Sequence, residues 1–148
     1  MTAEDKVGRI SAANVYWITQ ASFKPTLVAV GVKAVSQIYD IVKTAGNFAL
    51  NGLSKRQHGT AYAFFKPAER DGQKISSEPF RTGSTEASVL ENTPAFVECG
   101  HVTTVEEGDH SIFVGKVVDA GVTQDPEGRA DEATLLLKEL GEKTFYSG

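Results

Sequence analysis

Between Trp17 and Asn51 the chain reads WITQASFKPTLVAVGVKAVSQIYDIVKTAGNFALN: a polar stretch, an apolar run, a helical period and a second apolar stretch. Thr26 to Val32 (TLVAVGV) is short, β-branched and apolar, with Pro25 ahead of it and Lys33 and Ser36 behind. That pattern predicts a strand buried on both faces. The polar stretch Thr19, Gln20, Ala21, Ser22 is therefore expected as a loop at a strand mouth. Ser36 precedes Ile38, Ile41, Val42 and Ala45 at helical spacing, and Gly46 closes the run. A short helix with a serine N-cap and a C-terminal glycine is predicted. The amides at such a helix start can hold a phosphate.

Farther along, Asn47 to Leu53 (NFALNGL) predicts a second strand. Ser54 to Phe65 reads as a helix, with Ser54 as cap, Gln57 in the capping-box position and Pro67 as the stop. Lys66 to Ser88 is rich in Gly, Ser and charged residues and holds Pro67 and Pro79, a long excursion of the kind that forms lids or partner-binding segments. Ala95 to Val105 alternates two sets of side chains, as a strand with two distinct faces does. A Gly108-Asp109 turn joins it to a second strand, His110 to Ala120, whose Gly115 fits a bulge or tight bend. The tail is charged from Pro126 and then helical around Leu135, Leu136, Leu137 and Leu140.

Strands with short inserted helices, and no regular β-α alternation, favour an antiparallel barrel over a doubly wound sheet. The length, 148 residues, matches one domain with a real core. Net charge is −4 and basic residues do not cluster, which argues against a nucleic-acid partner. No apolar stretch reaches the roughly 18 residues of a membrane span, and Met1 to Gly8 lacks the apolar core of a secretory signal; the cytoplasm is the expected location. The sole cysteine, Cys99, permits no internal disulfide and reads as a small buried hydrophobe. His101 has no companion at zinc-ligand spacing, so no metal site is expected. Gly46 to Gly52 lacks the spacing of a dinucleotide fingerprint.

The ordered elements WITQASFKPTLVAV, Lys33 with Ser36, NFALN with Gln57 downstream, PAFVEC and GDHSIFVGKV closely resemble the flavin reductase-like family of the FMN-binding split barrel. The likeness runs from about Ser11 to Gly148. It implies a mainly β fold, a six-stranded antiparallel Greek-key split barrel with short inserted helices, acting as a homodimer. Family members usually have another strand ahead of the segment matching Ser11. Residues 1–10 are therefore expected as a flexible N-terminal extension, with 11–148 as one domain lacking the usual first strand.

The same resemblance implies a flavin cofactor, FMN or FAD, with NADH or NADPH as transient reductant and a partner oxygenase or another electron acceptor downstream. Hydride would pass from nicotinamide C4 to flavin N5, so the cofactor supplies the chemistry and the protein supplies position. Flavin contact falls to Trp17, Ile18, Thr19, Gln20, Ala21 and Ser22, the 19–22 loop holding the isoalloxazine edge. The phosphate falls to Lys33, Ser36 and Gln37. Asn51 and Gln57 are further flavin candidates, and His110 and Tyr146 are candidates for the nicotinamide side. Each has a plainer reading. Trp17 can be a packed aromatic, 19–22 simple turn formers, Ser36 only a cap, Lys33 a solvated strand-end charge, and Asn51 and Gln57 partners for buried backbone. Two functions follow: a reductase that turns flavin over, or a carrier that binds FMN without nicotinamide turnover.

Overall fold

In the computed structural model, which describes residues 1–142 and 144, the chain is mainly β. Strands β1 (Thr2–Glu4), β2 (Ile10–Ala12), β3 (Ile18–Phe23) and β4 (Thr26–Lys33) precede helix α1 (Gln37–Ala45) and β5 (Asn47–Gly52). Helix α2 (His58–Ala63) leads into β6 (Arg70–Asp71), β7 (Lys74–Ile75), β8 (Glu78–Thr82) and β9 (Ser88–Leu90). The long pair β10 (Ala95–Val105) and β11 (His110–Val122) follows, then α3 (Ala130–Ala133) and a 3-10 turn at Leu137–Leu140.

The main sheet has the order β2-β1-β5-β10-β11-β4-β3, with antiparallel pairing throughout. Seven strands thus stand where six were expected, and among the described residues no pairing closes β2 onto β3. The first ten residues are part of this sheet and not a loose extension. β1 pairs with both β2 and β5, and Met1 and Ala3 are buried. The Asp5 carboxylate closes the intervening turn by accepting from the amides of Val7 and Arg9. Strand β1 is short and spells Thr-Ala-Glu, so its apolar period is too brief to register in the sequence.

Three packed clusters hold the fold together. On one face of the main sheet, Val30, Val32, Phe48, Cys99 and Phe113 meet Ile38, Ile41 and Val42 of α1; burial of each large side chain is worth about 1.5–3 kcal/mol. The helix is bounded as its sequence predicts. Ser36 caps it, and Gly46 ends it at φ 74°, a backbone region that favours glycine. Gly115 sits against this cluster, where a Cβ would lie 2.5 Å from Cζ of Phe48. Close approach of the ring, and not a bend in β11, accounts for that glycine. The hairpin's irregularities fall between Glu98 and Cys99 and between His101 and Thr103.

The 66–88 excursion folds into a second sheet, β6-β7-β8-β9. It covers the opposite face of β5 and β10 through Ala49, Ala87, Val89 and Phe96. It also builds a third cluster around Phe64, Ile75, Phe80 and Leu90. The predicted helix at 54–65 is shorter, with Gln57 at its N-cap position. Ser54 instead makes an isolated bridge with Thr134. The leucine-rich tail is not one helix but α3 followed by the separate 3-10 turn. No second layer covers the outward face where β3, β4 and the start of β11 lie side by side.

Candidate functional site

On that outward face the register sets Lys33 opposite His110 and Gly31 opposite Ile112. Trp17 lies across β4. Its backbone carbonyl accepts from the Gly31 amide at 2.8 Å, and a Cβ on Gly31 would come within 2.9 Å of Cε3 of its indole. Glycine is required there for the ring to lie flat. The indole then reaches His110, with ring centroids 4.8 Å apart and planes tilted by 56°. Nδ1 of His110 is 3.1 Å from Oδ1 of Asp109, and this hydrogen bond holds the Asp109 carboxyl below its ordinary range. The Ala34 amide donates to Asp109 O at 2.9 Å, tying the β10–β11 turn to the end of β4.

One turn beyond Lys33, the start of α1 forms an anion-competent corner. Ser36 Oγ accepts from the Tyr39 amide at 3.4 Å and donates to Lys33 O at 2.7 Å. Its hydroxyl therefore joins the helix start to the strand end. The amides of Gln37 and Ile38 belong to the group that helix geometry leaves without an intrahelical acceptor, and the helix dipole adds positive potential there. Gln37 reaches back to the N-terminal strands, its Oε1 accepting from Ser11 Oγ at 3.4 Å.

The segment after Ser11 leads from this corner to a cavity of about 160 Å³. One wall is Asn14, Val15, Tyr16 and Ile18; Leu50 to Leu53 form another; Leu90 and the tail residues Thr134, Leu135, Leu136 and Leu140 complete it. The lining is mostly apolar. Asn14 is positioned by donation from its Nδ2 to Ala61 O at 2.7 Å. Asn51 donates to Thr2 Oγ1 and accepts from the Leu90 amide, both at 2.9 Å. Its side chain ties three strands together at the cavity rim.

The expected residues thus separate into distinct groups. Trp17, Lys33, Ser36, Gln37 and His110 cluster around the end of β4. Ile18 and Asn51 line the cavity. Thr19, Gln20, Ala21 and Ser22 do not form a loop: they belong to β3, the outermost strand of the sheet, with a register shift between Gln20 and Ser22. Their polar side chains are occupied locally, Thr19 Oγ1 donating to Gln20 O and Gln20 Nε2 to Ser22 O. Gln57 is used by the scaffold, accepting from the Ser54 amide and donating to Asn92 O. Tyr146 lies outside the described residues. Sequence reasoning passed over Asn14, Val15 and Tyr16, immediately ahead of Trp17; their mixed polarity gives no period to follow.

The remaining titratable groups of the core point away from redox chemistry by side chains. Burial, with the neighbouring Glu98 charge, pushes the Cys99 thiol up to about 12. Burial also lowers the pKa of His101, whose ring meets Phe113 edge-on and whose Nε2 lies 2.7 Å from Thr104 Oγ1. No helix of the described residues is long and apolar enough to cross a membrane.

A solvent-facing aromatic beside a helix start, above a small apolar cavity, suits a planar anionic cofactor. Comparison with known proteins agrees. Residues 1–140 match the flavin reductase like domain, and the chain belongs to that family. It is 32% identical over 117 residues to a flavin reductase of Pseudomonas putida, covering 79% of this chain and 67% of that one. It is 27% identical over 117 residues to the reductase subunit Stc3 of stachydrine N-demethylase from Rhizobium meliloti, covering 79% of this chain and 50% of that one. The styrene monooxygenase flavin reductase of Pseudomonas putida S12 shares the fold, with a TM-score of 0.71 at 24% identity over 83% of this chain and 78% of that one. The chain spans 37% to 67% of the length of the first curated relatives it matches.

Proposed function

We propose that this protein binds FMN and reduces it with NADH or NADPH, passing the electrons to a partner oxygenase or a free acceptor. The isoalloxazine would enter the cavity between Asn14–Ile18 and Leu50–Leu53, and the phosphate would sit on Lys33 and the amides of Ser36 and Gln37. The observation that carries this reading is the Lys33–Ser36 corner. It couples a cation and a helix start to the aromatic pair Trp17–His110 and, through the segment after Ser11, to the apolar cavity.

When bound, the flavin supplies N5 as the acceptor of a hydride from nicotinamide C4. The chain's own task is placement. The apolar walls exclude water from one side of the ring, and Asn14 and Asn51 offer fixed polar edges. Trp17 and His110 present a flat surface toward solvent where a nicotinamide can approach. Holding two rings in contact can contribute about 7–11 kcal/mol to the rate without any protein nucleophile.

The cavity is smaller than the roughly 300–1,000 Å³ common for ligand sites, and a second copy of the chain would complete it. Val102, Ile112 and Val118 on the β10–β11 hairpin are all about half exposed, a surface suited to such a homodimer. In that assembly the seven-stranded sheet serves as the split barrel of the family, in the cytoplasm. FAD fits the same corner if its adenosine end runs outward. A carrier role without nicotinamide turnover is the second reading, favoured by the Trp17 ring already packed on His110, whose side chain is only 14% exposed.

Replacing Lys33 and Ser36 together by Ala tests the assignment. Charge-assisted bonds of about 1.5–3 kcal/mol each predict a loss of FMN affinity of roughly 10- to 100-fold or more. Riboflavin, which lacks the anion, should bind almost unchanged. Equal losses for the two flavins, read by fluorescence quenching, would move the phosphate elsewhere.

A further inference from the structure

Thr134, Leu135, Leu136 and Leu140 form one wall of the cavity and all come from a single segment near the C-terminal end of the described chain. Glycines in positive-φ backbone bound that segment, Gly128 at φ 82° and Gly141 at φ 120°. These are conformations that other residues adopt poorly, and small residues at element ends are suited to absorb a hinge rotation. Ahead of Gly128, residues 123–127 are exposed throughout.

Its attachments are few and reach only residues 53–55 and helix α2. The Leu135 amide donates to Leu53 O at 2.8 Å and the Lys55 amide to Ala133 O at 3.3 Å. The Tyr62 hydroxyl donates to Leu140 O, a ring nitrogen of His58 lies 3.1 Å from Glu139 O, and Lys55 pairs with Glu139 at 3.4 Å. Within residues 129–141 only Leu140 is buried, and Leu136 is 41% exposed. Little apolar area is lost when such a segment lifts, and such segments open locally at low free-energy cost. The Leu90 wall is different. Asn51 binds its amide, and Leu90 belongs to a packed core cluster.

We propose that residues 129–141 form a lid hinged at Gly128 and Gly141, which must lift for flavin to enter or leave the cavity. The proposal rests on the flavin reading of that cavity. In the closed state the leucines replace water over the ring; in the open state the cavity loses one wall and can admit the whole isoalloxazine.

Ser54 and Thr134 face each other across the isolated bridge, a spacing near that of a disulfide, so the double variant S54C/T134C can lock the lid. Cys99 is buried and will not compete. Stopped-flow quenching of FMN fluorescence should show association at least about tenfold slower for the oxidised variant than for its reduced form, which should match the parent protein. Tyr62→Phe, which removes the bond to Leu140 O, should raise association and dissociation rates together, about severalfold, with little change in affinity. Equal rates for oxidised and reduced S54C/T134C would overturn the lid and leave a fixed wall. Hydrogen exchange on the flavin-less protein separates this failure from that of the flavin reading. The Leu135 and Lys55 amides should exchange far faster than those of β10 and β11, whereas protection equal to the hairpin's would overturn the lid even if no flavin bound.

Discussion

Two excursions leave the main sheet, residues 66–92 and residues 123–141, and they are held in opposite ways. The first is anchored by buried groups. Glu98, fully buried, accepts through Oε2 from the amide and hydroxyl of Thr85 at 2.9 and 2.8 Å. Ser84 donates to Asp119 at 2.9 Å, Asn51 accepts from Leu90, and Phe80 and Ile75 fill a core of their own. The second is attached by surface hydrogen bonds and one partly exposed ion pair between glycine hinges. Both contribute to the cavity wall, yet only one is built to stay. A long insertion is therefore not mobile because it is long. What decides is whether its bonds are buried, where an unmade partner is costly, or exposed, where water substitutes.

The contrast can be broken at its firmest point. Phe80 is 2% exposed at the centre of the first excursion, and Phe80→Ala should lower global stability by about 3–5 kcal/mol, read as a shifted denaturant midpoint. A loss under about 1 kcal/mol would mean that the second sheet folds independently of the rest. Gly83→Ala comes next. A Cβ there would lie 2.3 Å from Oε2 of Glu98, a clash that should cost about 1–3 kcal/mol and release the Thr85 contacts. A midpoint equal to that of the parent would show that the turn shifts aside without strain.

The smallest effect is confined to the second excursion. The Leu136 amide, with Lys55 beside it, holds the Glu139 carboxyl below the ordinary glutamate range. A folded-state value below the unfolded one stabilises the closed segment fully above the ordinary glutamate pKa. That contribution is lost as the pH falls through the lowered value. Intrinsic-rate-corrected exchange at Leu135 should therefore rise in that acid window, while β10 and β11 stay protected, and Glu139→Gln should remove the step. A pH-independent Leu135 would take Glu139 out of the attachment.

The legible parts of the fold are those where one face is buried without interruption. TLVAVGV, the Ser36–Gly46 helix and the Ala95–Val105 strand emerge in the structure as their patterns predict, because burial imposes a period of one or two residues on each. Strand β3 was read as a loop because an outermost strand carries polar side chains without penalty, and Thr-Gln-Ala-Ser looks the same in either setting. Strand β1 was missed for its brevity. The run Leu135–Leu137 suggested a helix, but apolar residues in direct succession face a cavity as readily as a helical core. At the site, Lys33, Ser36 and His110 were visible because strand ends and helix starts have local signatures. Asn14 and Tyr16 line the cavity only through the path of an irregular segment, which no local pattern encodes.

The central claim is flavin reduction at the Lys33–His110 face, and the visible spectrum of the FMN-loaded protein under anaerobic conditions tests it most directly. With NADH or NADPH added, the account predicts rapid loss of the oxidised flavin absorbance and its return on admitting air. An FMN band that persists in the presence of both nucleotides would contradict the reductase and leave the carrier. FMN fluorescence unquenched by the protein would contradict both.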